Sequence, residues 1–249
     1  MRALPDQQLK KRRRPPGRRR TEPFWRLLFP PRCLLCRRLL AAASPVPLCG
    51  GCRALFTPAG LFCPRCGKEL LSGQPCSCAP EILPLRGLFA LSRYEGPWRQ
   101  MLHRFKFGGE RALARPLGNW LGRLLEEETG WQPELAVPVP LHRRREEERG
   151  YNQSFLLARF TAEALGIPLQ PLLVRPEAAP AQSSLSYRRR LENVRGAFLY
   201  RGKPYPGKRA LLVDDIYSTG ATMQEAATVL HRRGLIVFGA AAAYTPRLS

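Results

Sequence analysis

The sequence predicts an α/β protein, with a mostly parallel sheet flanked by helices and a small cysteine-rich module ahead of it. Two observations carry that expectation. From residue 134 onward, short apolar runs alternate with helical periodicities, the pattern of strands joined by crossover helices. All eight cysteines lie between Cys33 and Cys78, in close pairs. A third observation locates the chemistry. The apolar run Ala210–Val213 feeds into two adjacent carboxylates, Asp214 and Asp215, and then into the small-residue loop Ser218-Thr219-Gly220-Ala221-Thr222.

The chain has 249 residues, 44% of them hydrophobic, enough for one medium domain with its own core and a smaller module. We divide it into a basic tail (1–22), the cysteine module (23–80), a linking helical segment packed on the core (81–133) and the α/β domain (134–249). The formal net charge of +22 points to polyanionic or phosphorylated partners. Much of the excess is local: Lys10–Arg14 and Arg18–Arg20 flank Pro15-Pro16-Gly17 without apolar periodicity, so the tail is expected to be disordered. It reads as a solvated tail or as a non-specific phosphate-binding arm. No run is long enough for a membrane helix. The apolar segment Phe24–Phe29 carries an arginine and runs into Pro30-Pro31, which argues against a signal peptide. With cysteine spacing suited to metal rather than to secreted disulfides, a cytoplasmic location is expected.

In the cysteine module, Cys33-x₂-Cys36 and Cys49-x₂-Cys52 form one set, and Cys63-x₂-Cys66 and Cys76-x-Cys78 another. A two-residue gap lets both sulfurs of a knuckle face one tetrahedral ion. Four thiolates leave no position for water, so each set predicts a closed, structural Zn²⁺ site. Sequential pairing and cross-bracing of the first knuckle with the third both fit the spacing, and an iron–sulfur cluster is the weaker competitor. The metal should supply most of this module's folding energy. Its arginines and lysines suit a nucleic-acid contact or plain solubility.

The linking segment reads as a short strand at Leu88–Leu91, a turn at Tyr94–Pro97, a helix over Trp98–Phe107 ended by Gly108-Gly109, and a second helix over about 112–128. Periodicity makes Lys106 a solvated lysine, though it also stands within reach of a bound phosphate. In the α/β domain, a strand over residues 135–140 runs into a loop, Leu141–Gly150. A helix follows to Leu165, closed by Gly166. Strands are expected at Pro168–Val174 and Gly196–Tyr200. After Asp215 and its loop comes a helix over Met223–His231, and Leu235–Tyr244 closes the sheet. Ligands of such sheets bind beyond the carboxyl ends of the strands, where the loops after Pro140 and Asp215 both lie.

The loop after Asp215 opens a helix. Its amides are unpaired donors at the positive end of the macrodipole, and Gly220 lets a phosphate approach the backbone. Ser218, Thr219 and Thr222 add hydroxyls. Two carboxylates cannot hold that phosphate, but they accept bonds from sugar hydroxyls or hold Mg²⁺ through water. An ordinary strand and capped turn would not explain two consecutive acids at the end of an apolar strand, where unpaired charge is costly. Val213–Thr222 resembles the phosphoribosyl pyrophosphate (PRPP) motif of the type I phosphoribosyltransferases.

With the cysteine module, Lys106-Phe107-Gly108-Gly109, Pro138-Val139-Pro140-Leu141-His142 and Arg149-Gly150-Tyr151-Asn152-Gln153, the chain from Cys33 onward resembles the ComF family. The resemblance implies a type I phosphoribosyltransferase fold behind a double zinc ribbon, and for some relatives a link to DNA uptake in natural transformation. It implies that Asp214 and Asp215 address ribose and Mg²⁺, that Ser218, Thr219, Gly220, Ala221 and Thr222 bind the 5′-phosphate, and that Pro138, Val139 and Pro140 lie in the pyrophosphate loop. Arg149 then belongs to a segment that closes over PRPP. Gln182, Leu185, Asn193 and Phe198 follow the family pattern. Glu177 and Ala179 depart from it, where a basic residue and a threonine are expected, and this bears on the acceptor rather than on PRPP. Two functions are in view: transfer of phosphoribose to a nitrogen acceptor, and a non-catalytic PRPP-binding adaptor acting with single-stranded DNA or DNA-uptake proteins.

Overall fold

The computed structural model describes residues 30–41, 46–56, 60–64, 66, 68–70, 76, 78, 84–176 and 196–245. The expected basic tail, Arg188–Arg190, and the pattern residues Glu177, Ala179, Gln182, Leu185 and Asn193 lie outside them. In chain order the elements are α1 (Gly50–Ala54), β1 (Leu61–Phe62), β2 (Glu69–Leu70), β3 (Leu85–Arg93), α2 (Gly96–Phe107), a 3₁₀ turn (Arg111–Leu113), α3 (Ala114–Glu128), β4 (Leu135–Pro138), α4 (Arg143–Arg149), α5 (Gln153–Leu165), β5 (Leu173–Val174), β6 (Leu199–Tyr200), β7 (Arg209–Tyr217), α6 (Ala221–His231) and β8 (Ile236–Tyr244).

Four strands, β3, β8, β7 and β4, run parallel in that spatial order, and the β1–β2 hairpin joins the β3 edge antiparallel. Alternation along β7 sends Leu211 and Val213 to one face and Ala210 and Leu212 to the other. Both faces are therefore buried, which is why the strand reads as a continuous apolar run. One face carries α2, α3 and α5, with Trp98, Phe105, Leu117, Trp120, Leu121 and Leu157 at its centre. The other carries α6 and the short β5–β6 pair, with Met223, Leu230 and Phe198. Full burial of each such side chain contributes about 1.5–3 kcal/mol.

β8 does not close the sheet. It lies between β3 and β7, and its run Ala240–Ala243 is fully buried. Small side chains fit a central strand pressed from both faces. The short strand expected at Leu88–Leu91 extends over nine residues, because β8 supplies a parallel partner along most of its length. The strand expected over Pro168–Val174 shrinks to two residues in β5 plus a bridge between Leu169 and Ala136. The loop expected at Leu141–Gly150 holds a helix, α4. His142 Nδ1 accepts from the Arg144 amide, Arg143–Glu147 and Arg144–Glu148 pair one turn apart, and Gly150 ends it in the left-handed conformation.

α3 and α5 pack backbone to backbone. A β-carbon at Gly118 would meet Phe160 and the Leu157 carbonyl, and one at Gly122 would meet Ala164 and the Thr161 carbonyl. The two glycines, four residues apart, make one smooth helix face for α5.

Candidate functional site

The carboxyl ends of β4 and β7 lie side by side, with Pro138 in register with Val213 and the Val139 amide bonded to the Val213 carbonyl at 3.0 Å. That register brings the loop Pro138–His142 beside Asp214 and Asp215. The acids point to different surroundings. Asp215 is 7% exposed, and its Oδ1 lies 3.0 Å from Lys106 Nζ. Asp214 is partly accessible at the strand end but closely surrounded. Its Oδ1 accepts from the Ser154 hydroxyl at 2.7 Å and from the Asp215 amide at 2.8 Å. Loss of hydration, and then the neighbouring Asp215 charge, push the Asp214 carboxyl up to about 6; the Ser154 bond and Lys106 oppose that rise.

Beyond Tyr217 the chain turns through Ser218, exposed, and Thr219, half-buried, to Gly220 at φ +82. Gly220 caps α6. A β-carbon there would run into the Tyr217 ring and hydroxyl, so position 220 is restricted to glycine by both conformation and space. Thr219 Oγ1 accepts from the Ala221 amide at 3.3 Å. Ala221 and Thr222 form the first turn of α6, behind the two carboxylates.

The run Arg149–Ser154 joins α2 to the acidic pair. The Arg149 guanidinium lies 4.6 Å over the Phe107 ring and donates to Gln153 Oε1 at 3.0 Å. Burial lowers the Arg149 pKa, and the Asp215 charge opposes that shift. Gly150 is the left-handed end of α4, and the Tyr151 hydroxyl donates to the Phe105 carbonyl. Asn152 caps α5 through the Phe155 amide and donates to the Val139 carbonyl at 3.2 Å. Gln153 Nε2 donates to the Lys106 carbonyl at 3.3 Å. Tyr151 and Gln153 thus tie the start of α5 to the end of α2, and Asn152 ties it to the loop after β4. Lys106 is not solvated, as periodicity suggested, but paired at the acids. His142 serves as the helix cap of α4.

Sequence reasoning missed Ser154, Arg175, Tyr217 and Gln224. Arg175 follows β5, with its guanidinium 5.6 Å from the Phe198 ring, and its Nε is buried with no hydrogen-bond partner among the described residues. Burial lowers its pKa, and the Asp214 charge acts against that. No spacing rule reveals such residues, because their partners lie far away in sequence.

The cysteines gather into two groups, Cys33, Cys36, Cys49 and Cys52, and Cys63, Cys66, Cys76 and Cys78, with all four sulfurs of each within 4.8 Å of one another. The pairing is therefore sequential, and cross-bracing is ruled out. Sulfur separations of 3.6 Å (Cys36–Cys49), 3.5 Å (Cys63–Cys78) and 3.6 Å (Cys66–Cys76) are close to the edge of about 3.8 Å that a tetrahedron with Zn–S near 2.3 Å requires. The first group packs on the α2–α3 face, where Leu34 and Leu48 are buried and Phe56 contacts Trp98 and Trp120. The second sits at the end of β1, on the face of α6. No helix among the described residues is long and apolar enough to cross a membrane.

Residues 24–79 match the double zinc ribbon domain, and residues 152–247 the phosphoribosyl transferase domain. The chain is 34% identical over 215 residues to the DNA utilization protein YhgH of Salmonella typhimurium, covering 84% of this chain and 94% of that one. It is 31% identical over 213 residues to competence protein F of Haemophilus influenzae (82% and 92%), and 29% identical over 220 residues to competence protein ComFC of Bacillus subtilis (81% and 89%). Among solved structures it is similar to an adenine phosphoribosyltransferase, with a TM-score of 0.36 and 18% identity over 58% of this chain and 75% of that one. The two four-cysteine groups support structural zinc, and the parallel sheet behind them is that of the type I phosphoribosyltransferases. The chain belongs to the ComF family, whose members join a double zinc ribbon to a phosphoribosyltransferase domain.

Proposed function

We propose that this protein binds PRPP with Mg²⁺ at the carboxyl ends of β4 and β7 and transfers its phosphoribosyl group to a nitrogen acceptor. The observation that carries this is the juxtaposition of Asp214 and Asp215 with the Gly220-capped start of α6 and the Pro138–His142 loop. In this reading the amides and hydroxyls of 218–222 hold the 5′-phosphate. Asp214 and Asp215 accept from the ribose hydroxyls, with Ser154 orienting Asp214. Pro138, Val139 and Pro140 line the pyrophosphate, and Arg149 moves from its place on Phe107 to cover it. The carboxylates offer the hard oxygen donors that hydrated Mg²⁺ takes, and the ion would supply neutralisation of the departing pyrophosphate. In the transfer, the bond from C1′ to pyrophosphate oxygen breaks as the bond from the acceptor nitrogen to C1′ forms, and the nitrogen's proton passes to the departing pyrophosphate or to water. The protein's part is position, charge and exclusion of water. The division at residues 22, 80 and 133 is retained within this proposal, with the linking segment contributing Lys106 to the site.

A second reading has its own support. The relatives carry names of competence and DNA utilization, and the net charge of +22 suits a nucleic-acid partner. In it the protein is an adaptor that binds PRPP without turning it over and acts with single-stranded DNA.

Calorimetric titration of PRPP and Mg²⁺ into the zinc-loaded protein, followed by pyrophosphate release with a panel of nucleobases, tests both. Binding with base-dependent release establishes the transferase and names its acceptor. Binding without release favours the adaptor. Absence of binding, or binding undiminished in the Asp214→Asn, Asp215→Asn double variant, overturns the site.

A further inference from the structure

The second cysteine group touches the phosphate loop through one carbonyl. Pro64 lies between Cys63 and Cys66 and is buried. Its carbonyl accepts from the Tyr217 hydroxyl at 3.1 Å and from Gln224 Nε2 at 2.7 Å. Tyr217 is the last residue of β7, directly before Ser218; Gln224 sits in the first turn of α6, and its amide donates to the Gly220 carbonyl at 2.8 Å. One carbonyl of the knuckle thus holds both ends of the loop 218–222. The contact is reinforced from the side. Phe62, next to Cys63, stacks on Tyr244 at 4.1 Å; Tyr244 lies 6.1 Å from Tyr217; and the Thr245 amide donates to the Tyr217 carbonyl at 2.8 Å.

The Tyr217 ring is also what fills the space beside Gly220. Any shift of Pro64 that releases the tyrosine therefore reaches the point where the phosphate would approach. The knuckle itself is closed by the bond from the Cys63 amide to the Lys68 carbonyl at 2.8 Å and by the four sulfurs. So small a unit buries too little apolar surface to keep its shape without its ion.

We propose that Tyr217 and Gln224 are positioning residues through which the second cysteine group sets the geometry of the phosphate loop, so that zinc at Cys63, Cys66, Cys76 and Cys78 and a phosphorylated ribose at 218–222 favour each other's binding. This rests on the reading of 218–222 as a phosphate loop. Because the coupling is a property of equilibrium, it works equally in both directions: the sugar phosphate protects the zinc by the factor by which the zinc strengthens the sugar phosphate. The first cysteine group, packed on the opposite face of the sheet against Phe56, Trp98 and Trp120, provides the internal reference.

The test uses the full chain with two zinc ions and ribose 5-phosphate, which needs no Mg²⁺. Zinc affinity is read at equilibrium by competition with a chromogenic chelator, and sugar-phosphate affinity by calorimetry. Saturating ribose 5-phosphate is expected to tighten the binding of one of the two ions about fivefold or more, and protein depleted of that ion, or a Cys78→Ser variant retaining one zinc, to bind the sugar phosphate more weakly by a similar factor. A Tyr217→Phe, Gln224→Leu variant that still holds two zinc ions is expected to lose the protection and to bind as weakly as the depleted protein. Equal affinity of two-zinc and one-zinc protein overturns the coupling and leaves the phosphate site standing. Weaker zinc binding in the double variant with the ligand effect intact shows a merely structural contact and also overturns it. If ribose 5-phosphate does not bind the two-zinc protein, the phosphate loop itself falls, and the coupling with it.

Discussion

Lys106 and Asp215 form an ion pair across 109 residues of chain, with Nζ 3.0 Å from Oδ1 and only 18% and 10% of the two side chains exposed. The pair places the end of α2 on the acidic end of β7. Removing one partner of such a pair strands the other charge in a poorly hydrated place, which costs more than the pair itself contributes. Lys106→Met is therefore expected to destabilise the protein by about 2–4 kcal/mol in urea unfolding and to weaken PRPP binding at neutral pH. An unchanged midpoint would show that the lysine is free to leave the carboxylate.

Asp214 provides a pH signature with two opposite signs. Its carboxyl is pushed up to about 6 in the folded protein. The stability this contributes is fully present below the ordinary carboxylate pKa and is lost as pH rises through about 6. The stability of the unliganded protein relative to Asp214→Asn should thus fall between pH 4 and pH 7. PRPP binding should run the other way, weakening up to about tenfold per unit below pH 6, because the ribose hydroxyls need an ionised acceptor. Ser154→Ala removes a bond that holds the pKa down and should move both midpoints to higher pH. Calorimetry and denaturant titrations from pH 4 to 8 check the two slopes.

His142 caps α4 through Nδ1 at 3.3 Å from the Arg144 amide. His142→Ala should cost about 0.5–2 kcal/mol, as loss of a cap does, while His142→Asn restores most of it. A loss of turnover in both variants, with a changed pH profile, would instead give the histidine a role in proton transfer.

Gly220→Ala combines a left-handed backbone with a β-carbon directed at Tyr217. We expect the variant to fold, with about 1–3 kcal/mol of lost stability, and its ribose 5-phosphate affinity to fall by an order of magnitude or more. Near-native affinity would mean that the loop backbone does not contact the phosphate.

Gly118→Leu tests the fold apart from the site. Its side chain would have to occupy space taken by Phe160 and the Leu157 carbonyl. Overpacking of about 1–3 kcal/mol or more is expected, seen as a lowered melting temperature with zinc content still at two ions.

The sequence determined those features whose physical cause is local. A two-residue gap between cysteines fixes which sulfurs share an ion within a knuckle. Small residues after two carboxylates fix where β7 ends and α6 begins. Periodicity marks α2, α3, α5 and α6 to within a few residues. Where the cause is a distant neighbour, local pattern does not carry it. β8 comes last along the chain and yet lies between β3 and β7, because order along the chain says nothing of order in the sheet. The apolar pattern of β3 covers only part of its nine residues, because its length comes from pairing with β8. α4 gives no apolar periodicity because its apolar content is nil, while its cap and its two ion pairs lie in plain view in the sequence.

The chemistry divides the same way. Asp214, Asp215, Gly220 and the eight cysteines are legible from the sequence, because their neighbours along the chain explain them. The pairing of Lys106 with Asp215, the grip of Ser154 on Asp214, and the bonds from Tyr217 and Gln224 to Pro64 belong to tertiary structure alone. They join residues 60 to 160 positions apart, and only the stacking of helices and ribbon against the parallel sheet brings such groups within hydrogen-bonding distance.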